Sequence, residues 1–172
     1  GELRGRRLVT PPGITTRPTS DKVSQAVFNA LESAGDVDGA LVLDLFAGSG
    51  ALGIEALSRG ARHATFVERD RLALAALRRN LDSLGLGPDR AAVVAGDALH
   101  HEGAYDLALL DPPYAFDAGA WTALLGRLDA GVAVCEAAAE VVAPPPWRLA
   151  RSKGYGSTVV TICRRQSEGS ER

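Results

Sequence analysis

The feature that most constrains this chain is an alternation of short apolar runs with stretches of helical spacing, sustained from residue 40 to residue 135. Apolar runs at 40–45, 64–67 and 107–110 each precede a helical pattern, at 51–58, 71–84 and 118–128 respectively, and further runs lie at 91–95 and 132–135. Parallel strands cannot be joined by a hairpin and need a crossover, so this alternation predicts a parallel sheet with helices on both faces. Two last apolar runs, 147–151 and 158–163, have no helical pattern between them and Gly154 and Gly156 at the turn, which predicts an antiparallel pair. The expected fold is Rossmann-like α/β: a mostly parallel seven-stranded sheet with an antiparallel C-terminal strand.

With 172 residues and 46% apolar content, one core is affordable and two are not. The expected division is a basic arm or hairpin over 1–20, a single domain over 21–165 and a frayed tail over 166–172. Residues 3–9 are basic and β-compatible, and Pro11-Pro12-Gly13 then breaks any regular element. Val23, Val27, Phe28 and Leu31 fall at helical spacing, with Thr19, Ser20 and Asp21 as candidate N-caps and Gly35 as the stop. The net charge of −2 does not advertise a polyanion partner, but the first 22 residues hold five cations against two acids. Neither Cys135 nor Cys163 belongs to a metal-ligand spacing, so both read as buried free thiols and no metal is expected. No apolar run approaches the roughly 20 residues that cross a bilayer. A cytoplasmic protein without membrane partners is expected. Because the chain has no methionine and begins at Gly1, its native start is expected to have been trimmed.

Asp44-Leu45-Phe46-Ala47-Gly48-Ser49-Gly50 falls where the first strand of the alternation ends and a helix begins. Gly48 and Gly50 permit positive φ and let a ligand lie against bare backbone, while Gly53 permits close helix-to-strand packing. Gly48-x-Gly50-x-x-Gly53 also matches a dinucleotide fingerprint, with Glu68 about 20 residues on. The glycines alone therefore leave NAD and S-adenosyl-L-methionine both open. Asp44 favours the second: a carboxylate four residues before the first glycine is poor company for a pyrophosphate and suits an ammonium group. Glu68 can accept from two ribose hydroxyls, and Asp97, beside Ala98, from an adenine amine. Each carboxylate could instead serve as a cap or turn former. Asp36, Asp38, Asp82, Asp89 and Asp106 read as turn and surface residues.

Asp111-Pro112-Pro113-Tyr114 follows the run at 107–110, so it sits where open α/β sheets bind ligands, beyond a strand's carboxyl end. Two prolines fix φ and remove two N–H donors, leaving carbonyl acceptors in a stiff frame. An exocyclic amine of a base is a weak nucleophile because its lone pair is delocalised into the ring. Asp111 and the Pro112 carbonyl, each accepting one amino hydrogen, would aim that lone pair at a sulfonium methyl. Tyr114 would stack on a base presented unpaired or flipped. The alternative is a stiffened turn whose Asp only caps the next helix.

Taken together, these motifs resemble the RsmD-type bacterial methyltransferases that modify a guanine N2 in small-subunit ribosomal RNA. The likeness covers nearly the whole chain. It is carried by Arg4-Gly5-Arg6, by Thr16-Arg17-Pro18-Thr19-Ser20-Asp21-Lys22-Val23, by Phe28-Asn29-Ala30-Leu31, by the stretch from Asp44 to Ala61 and by the proline tetrapeptide. The resemblance implies methyl transfer to guanine N2 of 16S rRNA within an assembled or assembling small subunit. It implies cofactor contacts from Asp44, Phe46, Gly48, Ser49, Gly50, Glu68, Asp97 and Ala98. Catalytic contacts are expected from Asp111, Pro112 and Tyr114, and substrate contacts from Arg4, Arg6, Arg7, Arg17, Pro113 and Tyr114. The rival readings are a methyltransferase for adenine N6 or cytosine N4 in DNA or for a glutamine side-chain amide in a protein, a nicotinamide-dependent oxidoreductase, and a non-catalytic RNA-binding module; amide methylators of this fold prefer Asn where Asp111 stands.

Overall fold

The computed structural model describes residues 1–10, 18–113 and 116–167, with backbone only at 18–20. Arg17, Tyr114, the Pro11-Pro12-Gly13 turn and the tail beyond residue 167 lie outside the described residues. The elements in chain order are α1 (Pro18–Ser33), β1 (Leu41–Leu45), α2 (Ala51–Ser58), β2 (His63–Glu68), α3 (Arg71–Ser83) and β3 (Ala91–Ala95). A 3-10 turn (Ala98–His100) follows, then β4 (Ala104–Leu110), α4 (Ala118–Arg127), β5 (Asp129–Ala137), β6 (Trp147–Tyr155) and β7 (Thr158–Arg165). They build one seven-stranded sheet in the order β3-β2-β1-β4-β5-β7-β6. The expected class is borne out. β7 runs antiparallel to both of its neighbours, β5 and β6, while the pairs among β1 to β5 are parallel.

Side-chain alternation divides the core into two layers. Val42, Phe66, Leu109 and Val134 point to one face, where Phe28 and Leu31 of α1, Leu57 of α2 and Leu77 of α3 meet them. Leu43, Val67, Leu110 and Cys135 point to the other, against Trp121, Leu124 and Leu125 of α4. Full burial of a side chain such as Phe28 is worth about 1.5–3 kcal/mol, which holds α1 on the sheet. Both cysteines are buried and unpaired, and burial pushes the Cys135 thiol well above its ordinary pKa.

Several local expectations are corrected. α1 starts at Pro18, a residue suited to a first helical turn, so Thr19, Ser20 and Asp21 lie inside the helix and are not its N-caps. Residues 1–10 form a turn and coil with no strand, because the arm finds its polar partners on the helices and not at a sheet edge. The Leu3 N–H donates to Ser58 Oγ at 2.9 Å, and the Val9 N–H donates to Asn80 Oδ1 at 2.6 Å. Arg4, Arg6 and Arg7 remain exposed. Asp36 is no plain surface residue: its two carboxylate oxygens accept from Arg164 at 2.8 and 2.6 Å, tying the segment after α1 to β7. Asp106 accepts from the Leu41 N–H at 2.8 Å and so fixes the start of β1 beside β4. Among the described residues no helix is long and apolar enough to cross a membrane.

Candidate active site at the strand ends

Strand order reverses between β1 and β4, and the crevice beyond the carboxyl ends of such a pair is where doubly wound sheets take ligands. The loop between β1 and α2 enters this crevice through backbone conformations that ordinary residues avoid. Phe46 has φ 59°, Gly48 φ 58° and Gly50 φ 89°. A bulky residue such as Phe46 in the left-handed region stores strain, and strain of this kind gathers at binding loops. The loop is tied down on two sides. The Ala47 N–H donates to the Val67 carbonyl at 3.1 Å, and the Gly48 N–H donates to Glu68 Oε1 at 2.9 Å. Close packing makes glycine obligatory at position 53, where a Cβ would stand 2.4 Å from the Phe66 ring and 3.1 Å from Asp44 Oδ2.

Alternation places four carboxylates on the α1 side of the sheet at successive strand tips. Glu68 follows Phe66 by two, Asp44 follows Val42, Asp111 follows Leu109 and Glu136 follows Val134, and all four of those apolar residues belong to the α1-side layer. The register agrees: Leu45 pairs with Leu110, and Leu110 with Cys135, so Asp111 and Glu136 are neighbours one residue further on. Asp44 is 1% exposed, and Oδ2 accepts the Gly53 N–H at 2.9 Å. Burial first, and then the charges of Asp111, Glu136 and Glu68, push its pKa well above the carboxylate range, partly opposed by the Gly53 hydrogen bond. A buried carboxyl among three others is the place where an arriving cation gains most.

The other acids of the loop side are more occupied than the sequence suggests. Glu68 Oε2 accepts from the Arg69 and Asp70 N–H groups at 2.8 and 2.9 Å, while Asp70 caps α3 through the Ala73 N–H at 2.9 Å. Asp97 caps the 3-10 turn through the Leu99 N–H at 2.9 Å and lies 3.4 Å from His100 Nδ1. Ala98 is buried beneath it. Ser49 offers its carbonyl to Asn80 Nδ2 at 2.9 Å, and the same amide donates to the Val9 carbonyl.

Asp111 opens the loop that leaves β4. The helix-capping alternative for it fails, since α4 is capped by Asp117, which accepts the Ala120 N–H at 2.8 Å. Asp111 is left at the lip of the crevice, open to solvent by area yet set in enough protein that burial lifts its pKa to about 6. Pro112 is half-buried and Pro113 exposed. Beyond them Phe116 meets Phe46 edge to face at 5.5 Å and Trp121 at 5.3 Å, so an aromatic chain joins the glycine loop to the tetrapeptide loop.

Glu136 is the residue that sequence reasoning missed. It is half-buried, and burial followed by the Asp111 charge raises its pKa to about 7. The signal was present as parity: Val132 and Val134 face α1, so the next residue of that parity at the strand end must face the crevice. Asp111 and Glu136 titrate as a pair.

The family described as Conserved hypothetical protein 95 matches residues 1–164. This chain belongs to that family. The ribosomal RNA small subunit methyltransferase D of Escherichia coli K12 is 36% identical over 98% of this chain and 89% of its own. The YlbH protein of Bacillus subtilis is 46% identical over 66% of this chain, a match spanning 64% of YlbH, just under two thirds of its length. The solved yhhF structure from Escherichia coli superposes with a TM-score of 0.83 at 34% identity, covering 98% of this chain and 96% of that one. A magnesium protoporphyrin IX methyltransferase of Synechocystis, solved with S-adenosylmethionine bound, shares the fold alone, at TM-score 0.70 and 14% identity. Membership in the Conserved hypothetical protein 95 family bears out the resemblance carried by the arm, the glycine loop and the tetrapeptide.

Proposed function

We propose that this member of the family transfers a methyl group from S-adenosyl-L-methionine to the exocyclic N2 of a guanine in 16S rRNA, within a small ribosomal subunit. The observation that carries the reading is Asp111: free of helix capping, at the tip of β4, beside the β1 loop across the switch point. The residues fit the cofactor. Asp44 offers its unbonded oxygen to the ammonium group, Glu68 a remaining lone pair to the ribose, and Asp97 one to the adenine amine, with Phe46, Gly48, Ser49, Gly50 and Ala98 around them. When bound, the cofactor supplies an electrophilic methyl on a sulfonium that departs as a neutral thioether and needs no acid.

Asp111 and the Pro112 carbonyl accept the two amino hydrogens and hold the nitrogen's lone pair in line. With the methyl supplied by the bound cofactor, Asp111 would receive the proton that the methylated nitrogen sheds. Holding the partners aligned accounts for about 7 kcal/mol or more of barrier lowering. Glu136 supports guanine over the other bases. Guanine presents N1–H beside its amino group, a row of donors for two carboxylates, whereas adenine and cytosine present a ring acceptor there and would leave it facing an anion. Arg4, Arg6, Arg7 and Arg17 are the proposed phosphate contacts, and Pro113 and Tyr114 the proposed base contacts. Two buried free thiols suit a reducing cytoplasmic setting.

The test is tritiated methyl transfer to undermethylated small subunits, free rRNA and duplex DNA. Label is expected in small-subunit RNA; label confined to DNA would overturn the substrate. Three further results are expected. Because both carboxyl pKa values are raised, the ionised pair is gained as pH climbs from about 6 to about 7, and turnover rises over that interval. Glu136→Gln removes one repulsive charge, so the acid limb of a pH–rate profile moves to lower pH; an unmoved limb would separate Glu136 from the site. Replacing Arg4, Arg6 and Arg7 by Ala is expected to lower the salt slope of RNA binding by about 2 units. A wild-type slope would remove the arm from the interface.

A further inference from the structure

The sheet edge formed by β6 carries a row of cations that the functional reading so far does not use. After Trp147, nothing on β6 is buried up to its end. Arg151 stands opposite Ile162 and Lys153 opposite Val160, and both partners belong to the α1-side layer. Residues directly opposite in an antiparallel pair share a face, so Arg151 and Lys153, and Tyr155 two further on, rise on the same side as the four carboxylates. β6 and β5 both run antiparallel to β7, so Lys153 and Tyr155 lie at the crevice end of the sheet.

Lys153 pairs with Val160 and Val160 with Glu136, which sets Lys153 two strand spacings, about 10 Å, from Glu136. Arg151, Lys153 and Tyr155 form one wall of a shallow groove whose other wall includes Ala26 and Ala30 of α1. Lys22 is exposed on the same helical stripe, four residues before Ala26. On β7, Arg164 is committed to Asp36 and Arg165 to Asp129, while Arg148, opposite Arg164 near the start of β6, makes no ion pair among the described residues. Among the described residues Lys22, Arg151 and Lys153 make no ion pair; Lys153 lies 5.3 Å over the Tyr155 ring. Three uncompensated cations and an aromatic face along one groove fit a single-stranded polyanion.

We propose that the groove between α1 and the β6 edge is the track for the RNA strand flanking the methylated nucleotide. Lys22, Arg151 and Lys153 hold its phosphates, with Lys153 seated over the Tyr155 ring. This rests on the RNA reading above and names the surface that the basic arm alone does not supply. Cations on an edge strand also deter edge-to-edge pairing. That role by itself predicts self-association on their removal and no change toward RNA.

The experiment is the binding of a guanine-containing single-stranded RNA to the full chain across a salt series, with no methyl transfer involved. Arg151→Ala combined with Lys153→Ala is expected to flatten the log–log salt slope by about 1.4 units, with affinity about tenfold lower and S-adenosylhomocysteine binding unchanged. Arg151→Lys combined with Lys153→Arg is expected to restore the slope. Both positions are exposed, and an unchanged melting midpoint confirms that the fold is intact. A wild-type slope in the alanine pair overturns the proposal, including the case in which the groove serves an acidic protein segment. Because the readout is binding and not transfer, a flattened slope in the alanine pair supports the track whatever base is methylated.

Discussion

Asp111→Ala is expected to lower methyl transfer by about three orders of magnitude while S-adenosylhomocysteine binding stays within a few-fold of wild type. The size follows from how little else is available to orient the amine. β4 ends at Leu110, and Pro112 and Pro113 contribute carbonyls but no N–H donors, so in the proposed mechanism the carboxylate would be the charged acceptor that fixes the nitrogen. Glu136, its neighbour on the same face, is carried by a different strand and in the proposed mechanism would serve the adjacent ring nitrogen. The variant should fold, because among the described residues no backbone N–H donates to Asp111 and α4 keeps its cap from Asp117. Single-turnover transfer and calorimetry measure the two halves of the expectation. Wild-type turnover would exclude the amine-orienting role.

Asp44→Asn is expected to weaken S-adenosylmethionine binding by roughly 30-fold, about 2 kcal/mol, the low end for removing one partner of a buried charged pair. The same change is expected to raise the thermal midpoint at neutral pH. The folded carboxyl has its pKa raised above the unfolded value, so the folded state binds the extra proton and loses stability as pH rises from the unfolded value through the folded one. Asparagine carries no such penalty, and its side-chain oxygen can still accept the Gly53 N–H. The stability gain should therefore vanish in acid, below the ordinary carboxylate pKa. A variant both less stable and unchanged in cofactor affinity would mean that Asp44 serves the fold alone.

Much of this architecture was legible because β1, β2, β4 and β5 are buried on both faces and write themselves as apolar runs. What was not legible follows the same logic. Residues 104–106 and 129–131 extend their strands through half-exposed ground with little apolar signal. β6 is an edge, so beyond Trp147 its side chains alternate only in which solvent-facing side they take, and its cation row has no apolar period to mark it. The arm read as strand-like because its residues suit one, but the side chains of Ser58 and Asn80 captured its backbone first.

A candidate carboxylate was readable where it stood just before a recognisable loop motif, as at Asp44 and Asp111, and not where no motif followed it, as at Glu136. The choice between a nicotinamide and a sulfonium cofactor, open on the glycines alone, turns on burial. Asp44 sits fully enclosed under the loop with its pKa raised, where a pyrophosphate would meet it at close range and an ammonium would relieve it. Glu68 and Asp97 show the opposite case: both proved to hold backbone N–H groups as well, a use that strand-end spacing alone does not distinguish from ligand binding.

Methylation at guanine N2 is decided by the identity of the methylated nucleoside. Small subunits labelled by this enzyme with tritiated S-adenosylmethionine are digested to nucleosides and separated. The expected result is a single labelled product, N2-methylguanosine. Label in N6-methyladenosine or N4-methylcytidine, or label absent from the RNA, would contradict it.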